Sequence, residues 1–234
     1  MDKQELRERV WDDLEESGEA RFPFPPHGRI PNFAGAKAAA ERLTDLDAWQ
    51  DADAIKANPD SPQRPVRRRA LEAGKTVYVA VPRLADERPF LELDPERIDD
   101  YDEATTISGA DELGVQVAPE GMSAVDLIVS GSVAVDDRGA RIGKGEGYSD
   151  LEFALLREVG LVGDDTTVVT TVHELQVADE VLPHDAHDVP MDHVVTPERT
   201  IATGGEYEKP DGVDWAALDD EKIDEIPILQ AKRP

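Results

Sequence analysis

Four short runs of apolar and β-branched residues recur along the chain, and they leave few folds open. They are Thr76-Val77-Tyr78-Val79-Ala80-Val81-Pro82, the stretch 125–135 that contains Leu127-Ile128-Val129, the stretch 166–172 that contains Val168-Val169, and His193-Val194-Val195-Thr196. A strand with one wet face alternates apolar and polar residues, whereas a strand covered on both faces reads as a continuous run. Helical patterns separate these runs. Residues 63–73 read as a helix stopped by Gly74 directly before the first run, and residues 148–159 offer Leu151, Phe153, Leu155 and Leu156 for a buried face between the second and the third. Helix, glycine stop and buried strand in succession form the repeating unit of a parallel sheet. The pattern predicts an α/β fold: a single domain whose mostly parallel sheet is flanked by helices.

Composition narrows the chemistry. The chain has 234 residues, 25 Lys+Arg against 52 Asp+Glu for a formal charge of −27, and no cysteine. That length supports a full hydrophobic core, and the lack of Cys excludes disulfide staples, thiol nucleophiles and Cys-ligated zinc. A chain at −27 repels phosphate backbones, so nucleic acid is not an expected partner; the one basic stretch is 64–69, with Arg64, Arg67, Arg68 and Arg69. No run approaches the roughly 18–20 consecutive apolar residues of a membrane span, and the opening residues lack the apolar centre of a signal peptide. A cytoplasmic location without membrane partners is expected. Eight of the 25 basic residues are lysines. This low-lysine, acid-rich surface suits a salt-filled cytoplasm, where the Debye length falls to about 3 Å, and a haloarchaeal source is expected.

The remaining segments read as follows. Residues 2–16 place Leu6, Val10, Trp11 and Leu14 on one stripe of a charged helix that Gly18 ends. Residues 22–33 hold four prolines and three Phe, an ordered extended loop whose aromatics are expected to pack on the domain. Residues 35–46 read as a helix, 49–57 as a short strand or linker, and Asn58-Pro59-Asp60-Ser61-Pro62 as a break. From 203 onward a Gly- and Asp-rich stretch leads to Trp215, Leu218, Ile223, Ile226 and Leu229, a docked short helix and an arm. The expected division is a main domain over 1–201 and an acidic C-terminal arm over 202–234.

The most informative decade is Arg141-Ile142-Gly143-Lys144-Gly145-Glu146-Gly147-Tyr148-Ser149-Asp150, between a strand and a helix. Alternating glycines let backbone amides approach an anion, the helix start adds its positive dipole end, and Arg141 and Lys144 bring full charge. A polyphosphate fits such a loop, and Asp150 stands where a hard carboxylate could hold Mg²⁺ against it. The spacing is neither a Walker A loop nor a GxGxxG dinucleotide turn.

Arg141-x-Gly143-x-Gly145-x-Gly147-Tyr148-x-Asp150, followed by Gln176, Leu182-Pro183 and Asp188-Val189-Pro190-Met191-Asp192, resembles the 5-formyltetrahydrofolate cyclo-ligase (methenyltetrahydrofolate synthetase) family. Lys3-x-x-x-Arg7 matches that family's opening nucleotide-binding helix. Val10-Trp11-Asp12, Ile30-Pro31-Asn32-Phe33, Asn58-Pro59-Asp60-Ser61-Pro62-Gln63 and Gly131-Ser132-Val133-Ala134-Val135 are most similar to its methenyltetrahydrofolate synthetase domain-containing branch, and the resemblance runs over almost the whole chain. It implies a NagB/RpiA/CoA-transferase-like fold and ATP- and Mg²⁺-dependent closure of 5-formyltetrahydrofolate to 5,10-methenyltetrahydrofolate. Carried over, Lys3, Arg7, Arg141, Lys144 and the amides of Gly143, Gly145 and Gly147 would hold ATP, with Asp192 near the nucleotide or its metal. Asp150 would bind Mg²⁺, Asp60 and Tyr148 would meet the reduced folate, and Arg141, Lys144 and Tyr148 would carry the chemistry.

The chain departs from the family at Glu146, where Lys or Gly is usual, and at Ser149, where a second Tyr is usual. A divergent ATP-using enzyme acting on another pterin, a thiamin-related or a formylated metabolite, and a non-catalytic nucleotide- or RNA-associated protein, are the alternatives. Several residues also have a plain structural reading. Asp60 suits a helix cap, Lys3 and Arg7 a solvated helix face, and residues 64–69 a helix face paired with carboxylates. His184, Asp185, His187, Asp188 and His193 lie in a loop without helical i, i+4 spacing, which favours a structural role over zinc. A monomer or a homodimer is expected.

Overall fold

The computed structural model describes residues 2–233. In chain order its elements are α1 (Lys3–Glu16), β1 (Ala20–Arg21), β2 (Asn32–Phe33), α2 (Ala36–Leu43), α3 (Asp47–Asp51), β3 (Ala54–Ala57), α4 (Arg64–Glu72), β4 (Thr76–Ala80), β5 (Phe90–Leu93), α5 (Tyr101–Ala104), α6 (Ile107–Leu113) and β6 (Val115–Val117). There follow β7 (Leu127–Ser130), β8 (Ala134–Asp136), β9 (Arg141–Ile142), α7 (Tyr148–Glu158), β10 (Thr167–Thr171), β11 (Val177–Ala178), β12 (His193–Val195), β13 (Thr200–Ala202), α8 (Asp220–Glu225) and α9 (Pro227–Lys232).

An eight-stranded sheet in the order β13-β12-β10-β7-β3-β4-β5-β6 forms the centre. Its five middle strands, β12 to β4, run parallel, while β13 at one edge and β5 and β6 at the other are antiparallel. The continuous apolar runs have a direct cause here. Tyr78 and Ala80 join Ile128, Val168 and Val194 in one core, and Val77 and Val79 join Leu127, Val129 and Val169 in the other, so both pleat faces are covered. Burial of each such Val, Ile or Leu side chain contributes about 1.5–3 kcal/mol.

The structure revises four expectations. The run 125–135 is two strands, not one: β7 lies in the large sheet and β8 in a three-stranded sheet of order β11-β8-β9. The break is at Gly131, where a Cβ would come within 3.0 Å of the Ile30 side chain and 3.1 Å of that of Gln63, so a larger residue would have to push these neighbours aside. Residues 54–57, left open as strand or linker, form β3 in the middle of the sheet, preceded by the short helix α3. In the loop 22–33, Phe33 is buried, but Phe22 and Phe24 are 78% and 58% exposed and do not pack on the domain. The expected single docked helix near the C-terminus is two, α8 and α9, with Pro227 opening the second.

Helix α1 starts as its sequence dictates. Asp2 caps it, its Oδ1 accepting from the amides of Gln4 and Glu5 at 2.8 Å each, while Glu5 accepts from the Asp2 amide at 3.1 Å. Such a capping box is worth about 1 kcal/mol and fixes which residue begins the helix. The stripe of Leu6, Val10, Trp11 and Leu14 then buries itself against Phe33, Val133 and Ile142, which brings Lys3 and Arg7 beside the segment that follows β9. On the opposite flank, Ile223, Ile226, Ile228 and Leu229 join Leu151, Leu155 and Leu156 of α7 in one core.

Candidate active site

Parallel strands gather ligand sites at their carboxyl ends, because loops and helix starts converge there. The chain follows this rule. A cavity of about 690 Å³ opens where β3, β4 and β7 end, lined by Asn58, Pro59 and Asp60, by Val81 to Arg83, by Gly131, and by the segment from Gly143 to the first turns of α7.

The glycine-rich segment forms one wall. Gly145 and Gly147 have φ of +107° and +71°, conformations that glycine alone adopts freely. Among the described residues, no amide of 144–150 donates to a backbone carbonyl, so the loop and the first turn of α7 present unpaired N–H groups. The charge around them is more balanced than composition alone suggests. Lys144 pairs with Glu146 at 2.7 Å. Arg141 is buried, donates to the Gly131 carbonyl at 2.9 Å and to both Asp150 oxygens at 2.7 Å, and the carboxylate outweighs burial to keep the guanidinium charged. Asp150 Oδ1 also accepts the Val189 amide at 3.0 Å. Oδ2 has Arg141 as its one partner among the described residues, so a lone pair remains, and Asp150 lines the cavity. The donor set fits Mg²⁺ through this single carboxylate oxygen, the usual arrangement when phosphates supply further ligands.

Asp60 faces this wall across the cavity. Its side chain makes no cap hydrogen bond to the turn that follows, so the cap reading is set aside. Burial pushes its carboxyl up, opposed by Lys144, Arg67 and Lys56. Beneath the cavity lies an ion pair, Lys56 on β3 with Glu152 on α7, both buried. Lys56 also donates to Asn58 Oδ1 at 3.1 Å, which takes the Ser149 hydroxyl at 3.3 Å. Burial raises the Glu152 carboxyl, and Lys56 pulls it back.

The sequence profile of the 5-formyltetrahydrofolate cyclo-ligase family matches residues 1–197. The chain belongs to this family. It is 44% identical over 238 residues to the methenyltetrahydrofolate synthase domain-containing protein of Mus musculus and 39% identical over 239 to that of Homo sapiens, covering 100% of this chain in both cases. The chain spans 63% and 62% of the length of these two relatives. A 5-formyltetrahydrofolate cyclo-ligase of Mycolicibacterium smegmatis is 35% identical over 82 residues, 35% of this chain and 39% of that one. Among solved structures, the 5,10-methenyltetrahydrofolate synthetase of Aquifex aeolicus shares the fold, with a TM-score of 0.56 and 21% identity over 87% of this chain and 94% of that one.

The residues assigned through the cyclo-ligase resemblance fall into three groups. Asp60, Arg141, Gly143, Lys144, Gly147, Tyr148 and Asp150 line the one cavity, and Gly145 lies in the same loop. Lys3 and Arg7 stand behind it: Arg7 Nε donates to the Gly143 carbonyl at 2.7 Å, and Lys3 Nζ sits 2.7 Å from both Asp185 and Asp188. Asp185, His187 and Asp188 lie close enough together to hold a metal ion, and Lys3 pairs with the two carboxylates of that group. Asp192 is not brought to the site. It precedes β12, at the end of the parallel strands opposite the cavity, where it accepts the Val168 amide at 2.7 Å and pairs with Lys209 at 2.9 Å.

Sequence reasoning missed Lys56, Glu152, Asn58 and Arg67. The available signal was a charged residue inside an apolar run, Lys56 in Ala54-Ile55-Lys56-Ala57 and Glu152 between Leu151 and Phe153. The basic stretch resolves into structure. Arg67 is buried and donates to the carbonyls of Asn58, Pro59, Asp60 and Thr105, shaping the cavity rim, while Arg64 binds the Asp102 carbonyl, Arg68 meets Glu72 and Asp102, and Arg69 meets Glu41.

Proposed function

We propose that the protein converts 5-formyltetrahydrofolate to 5,10-methenyltetrahydrofolate with ATP and Mg²⁺, releasing ADP and phosphate. The observation that carries this reading is the juxtaposition, in one cavity of a cyclo-ligase family chain, of an amide-lined glycine loop with Asp60 and Tyr148. ATP supplies the activation of the formyl oxygen by phosphoryl transfer, chemistry that asks a protein for positioning and charge neutralisation rather than a nucleophile. The loop amides, Lys144 and Arg141 bind and orient the phosphates, with Arg7 behind them. Asp150 Oδ2 offers the metal its protein ligand. Asp60, across the cavity, accepts hydrogen bonds from the N–H groups of the pterin, and the Tyr148 ring packs beside it. Residues 1–201 form the catalytic unit and 202–234 an arm docked on it.

The test is an absorbance assay for methenyltetrahydrofolate. Product is expected only when ATP, Mg²⁺ and 5-formyltetrahydrofolate are all present. ATP binding by calorimetry without product would favour the second reading, an ATP-using enzyme for another formylated or pterin-like substrate. Two observations speak for that reading: Glu146 offsets Lys144 in the loop, and the Ser149 hydroxyl, bonded to Asn58, replaces an aromatic surface. Arg67, Arg68 and Arg69 are taken up by carbonyl and carboxylate partners, which speaks against the RNA-associated alternative.

The acidic surface supports a halophilic setting, and this has its own check. Screening of the −27 charge is expected to raise the thermal unfolding midpoint steadily between roughly 0.1 and 2 M KCl, read by circular dichroism; a flat or falling midpoint would count against it.

A further inference from the structure

Two cations from outside the glycine loop hold its carbonyls. Arg7 Nε donates to the carbonyl of Gly143 at 2.7 Å, and Lys222 Nζ donates to that of Glu146 at 3.0 Å. A trans peptide points its C=O and its N–H in opposite directions. Fixing these two carbonyls therefore turns the amides of Lys144 and Gly147 away from the cations. Neither Arg7 nor Lys222 lines the cavity, whereas Gly143, Lys144, Glu146 and Gly147 do.

Lys222 comes from α8, beyond residue 197 where the family profile ends. It is the one basic residue in Asp220-Glu221-Lys222-Ile223-Asp224-Glu225, and its neighbour Ile223 is buried in the core shared with α7, which fixes where the lysine can reach. Its ammonium also lies 3.6 Å from the centre of the Tyr148 ring, a cation–π contact that holds the first residue of α7. Within the loop the Lys144 charge is offset by Glu146, so Lys222 restores a positive charge at the segment where the loop itself is neutral.

We propose that Lys222 is a positioning residue for nucleotide binding: from the C-terminal helix pair it clamps the Glu146 carbonyl and the Tyr148 ring, so that the loop amides are set for the phosphates of ATP. This rests on the nucleotide reading given above. The arm is then a working part of the site, supplied by a segment outside the family's common core.

The test compares wild type, Lys222→Ala and Lys222→Arg for binding of ATP with Mg²⁺ by calorimetry, for KM and kcat, and for the unfolding midpoint. The alanine variant is expected to bind ATP about tenfold more weakly, the size of one lost charged hydrogen bond, and to raise the KM for ATP with kcat little changed. Arginine restores binding to within about twofold because it keeps both the donor and the cation–π contact. The unfolding midpoint stays close to wild type, since Ile223, Ile226 and Leu229 still dock the helices. Wild-type ATP affinity in Lys222→Ala overturns the inference while leaving the nucleotide reading intact. A wild-type protein that does not bind ATP overturns both.

Discussion

Replacing Glu152 by Gln is expected to lower the unfolding free energy by about 3–5 kcal/mol, because it strands a charged lysine in the interior. Lys56 sits on the central strand β3 and is 1% exposed; its partners are Glu152 on α7 and the Asn58 amide oxygen. The amide oxygen that Glu152→Gln introduces and that of Asn58 are both neutral, so the buried ammonium loses the one charge that compensates it. The double replacement Lys56→Met with Glu152→Leu removes both charges together. It is expected to recover most of the loss, since a buried pair exchanged for apolar side chains of similar size is often neutral or stabilising. Urea denaturation of the three proteins decides the matter. A single variant within about 1 kcal/mol of wild type would mean that the pair is solvated in solution, contrary to its burial here. The comparison also separates stability from function. If the double variant folds well but loses turnover, the ion pair serves the cavity floor, holding Asn58 and, through it, Ser149.

The second large effect is at Asp150. Asp150→Asn is expected to reduce the proposed turnover by at least about 100-fold, the scale of losing an electrostatic group that acts on transferring phosphate. Two things fail at once. Arg141, buried and charged, keeps the Gly131 carbonyl but exchanges its carboxylate partner for a neutral amide that can offer it one oxygen instead of two, so the ion pair that anchors the guanidinium is lost. The oxygen proposed for Mg²⁺ also loses its charge. Asn keeps an acceptor for the Val189 amide, so the backbone there is preserved in a way that Ala would not allow. Initial rates measured while Mg²⁺ is varied distinguish the two roles: a metal role appears as a raised Mg²⁺ requirement, and a purely positioning role as a lower rate at every Mg²⁺ concentration. Unchanged rates would remove Asp150 from the site.

Much of this was legible in the chain, for reasons that can be named. The run Thr76-Val77-Tyr78-Val79-Ala80 announced a doubly covered strand because both pleat faces meet apolar cores, and the stripe of Leu6, Val10, Trp11 and Leu14 announced its helix because one face is buried. The loop from Arg141 to Asp150 was visible because its chemistry is local: alternating glycines, flanking charge and a helix start lie in ten consecutive residues. Less legible were β5, β6 and β13, the antiparallel strands at and next to the sheet edges, whose pairing depends on where the parallel strands run out rather than on their own pattern. The three Phe of residues 22–33 read alike, yet only Phe33 faces the core, since an irregular loop has no periodicity to say which side is inside.

The sequence by itself determined the fold class and the family, and it singled out the glycine-rich loop proposed to hold phosphates, because each rests on neighbours in the chain. Tertiary structure decided what long-range contact controls. It separated Asp192 from the site by placing it at the far end of the parallel strands. It turned residues 64–69 from a basic patch into a set of partnered arginines, and joined Lys56 to Glu152 across 96 positions of chain. It also brought Lys222 onto the Glu146 carbonyl from 76 residues away. Charge and hydrogen-bond partners of this kind depend on distance in space, and a linear pattern carries that information only where the chain is locally regular.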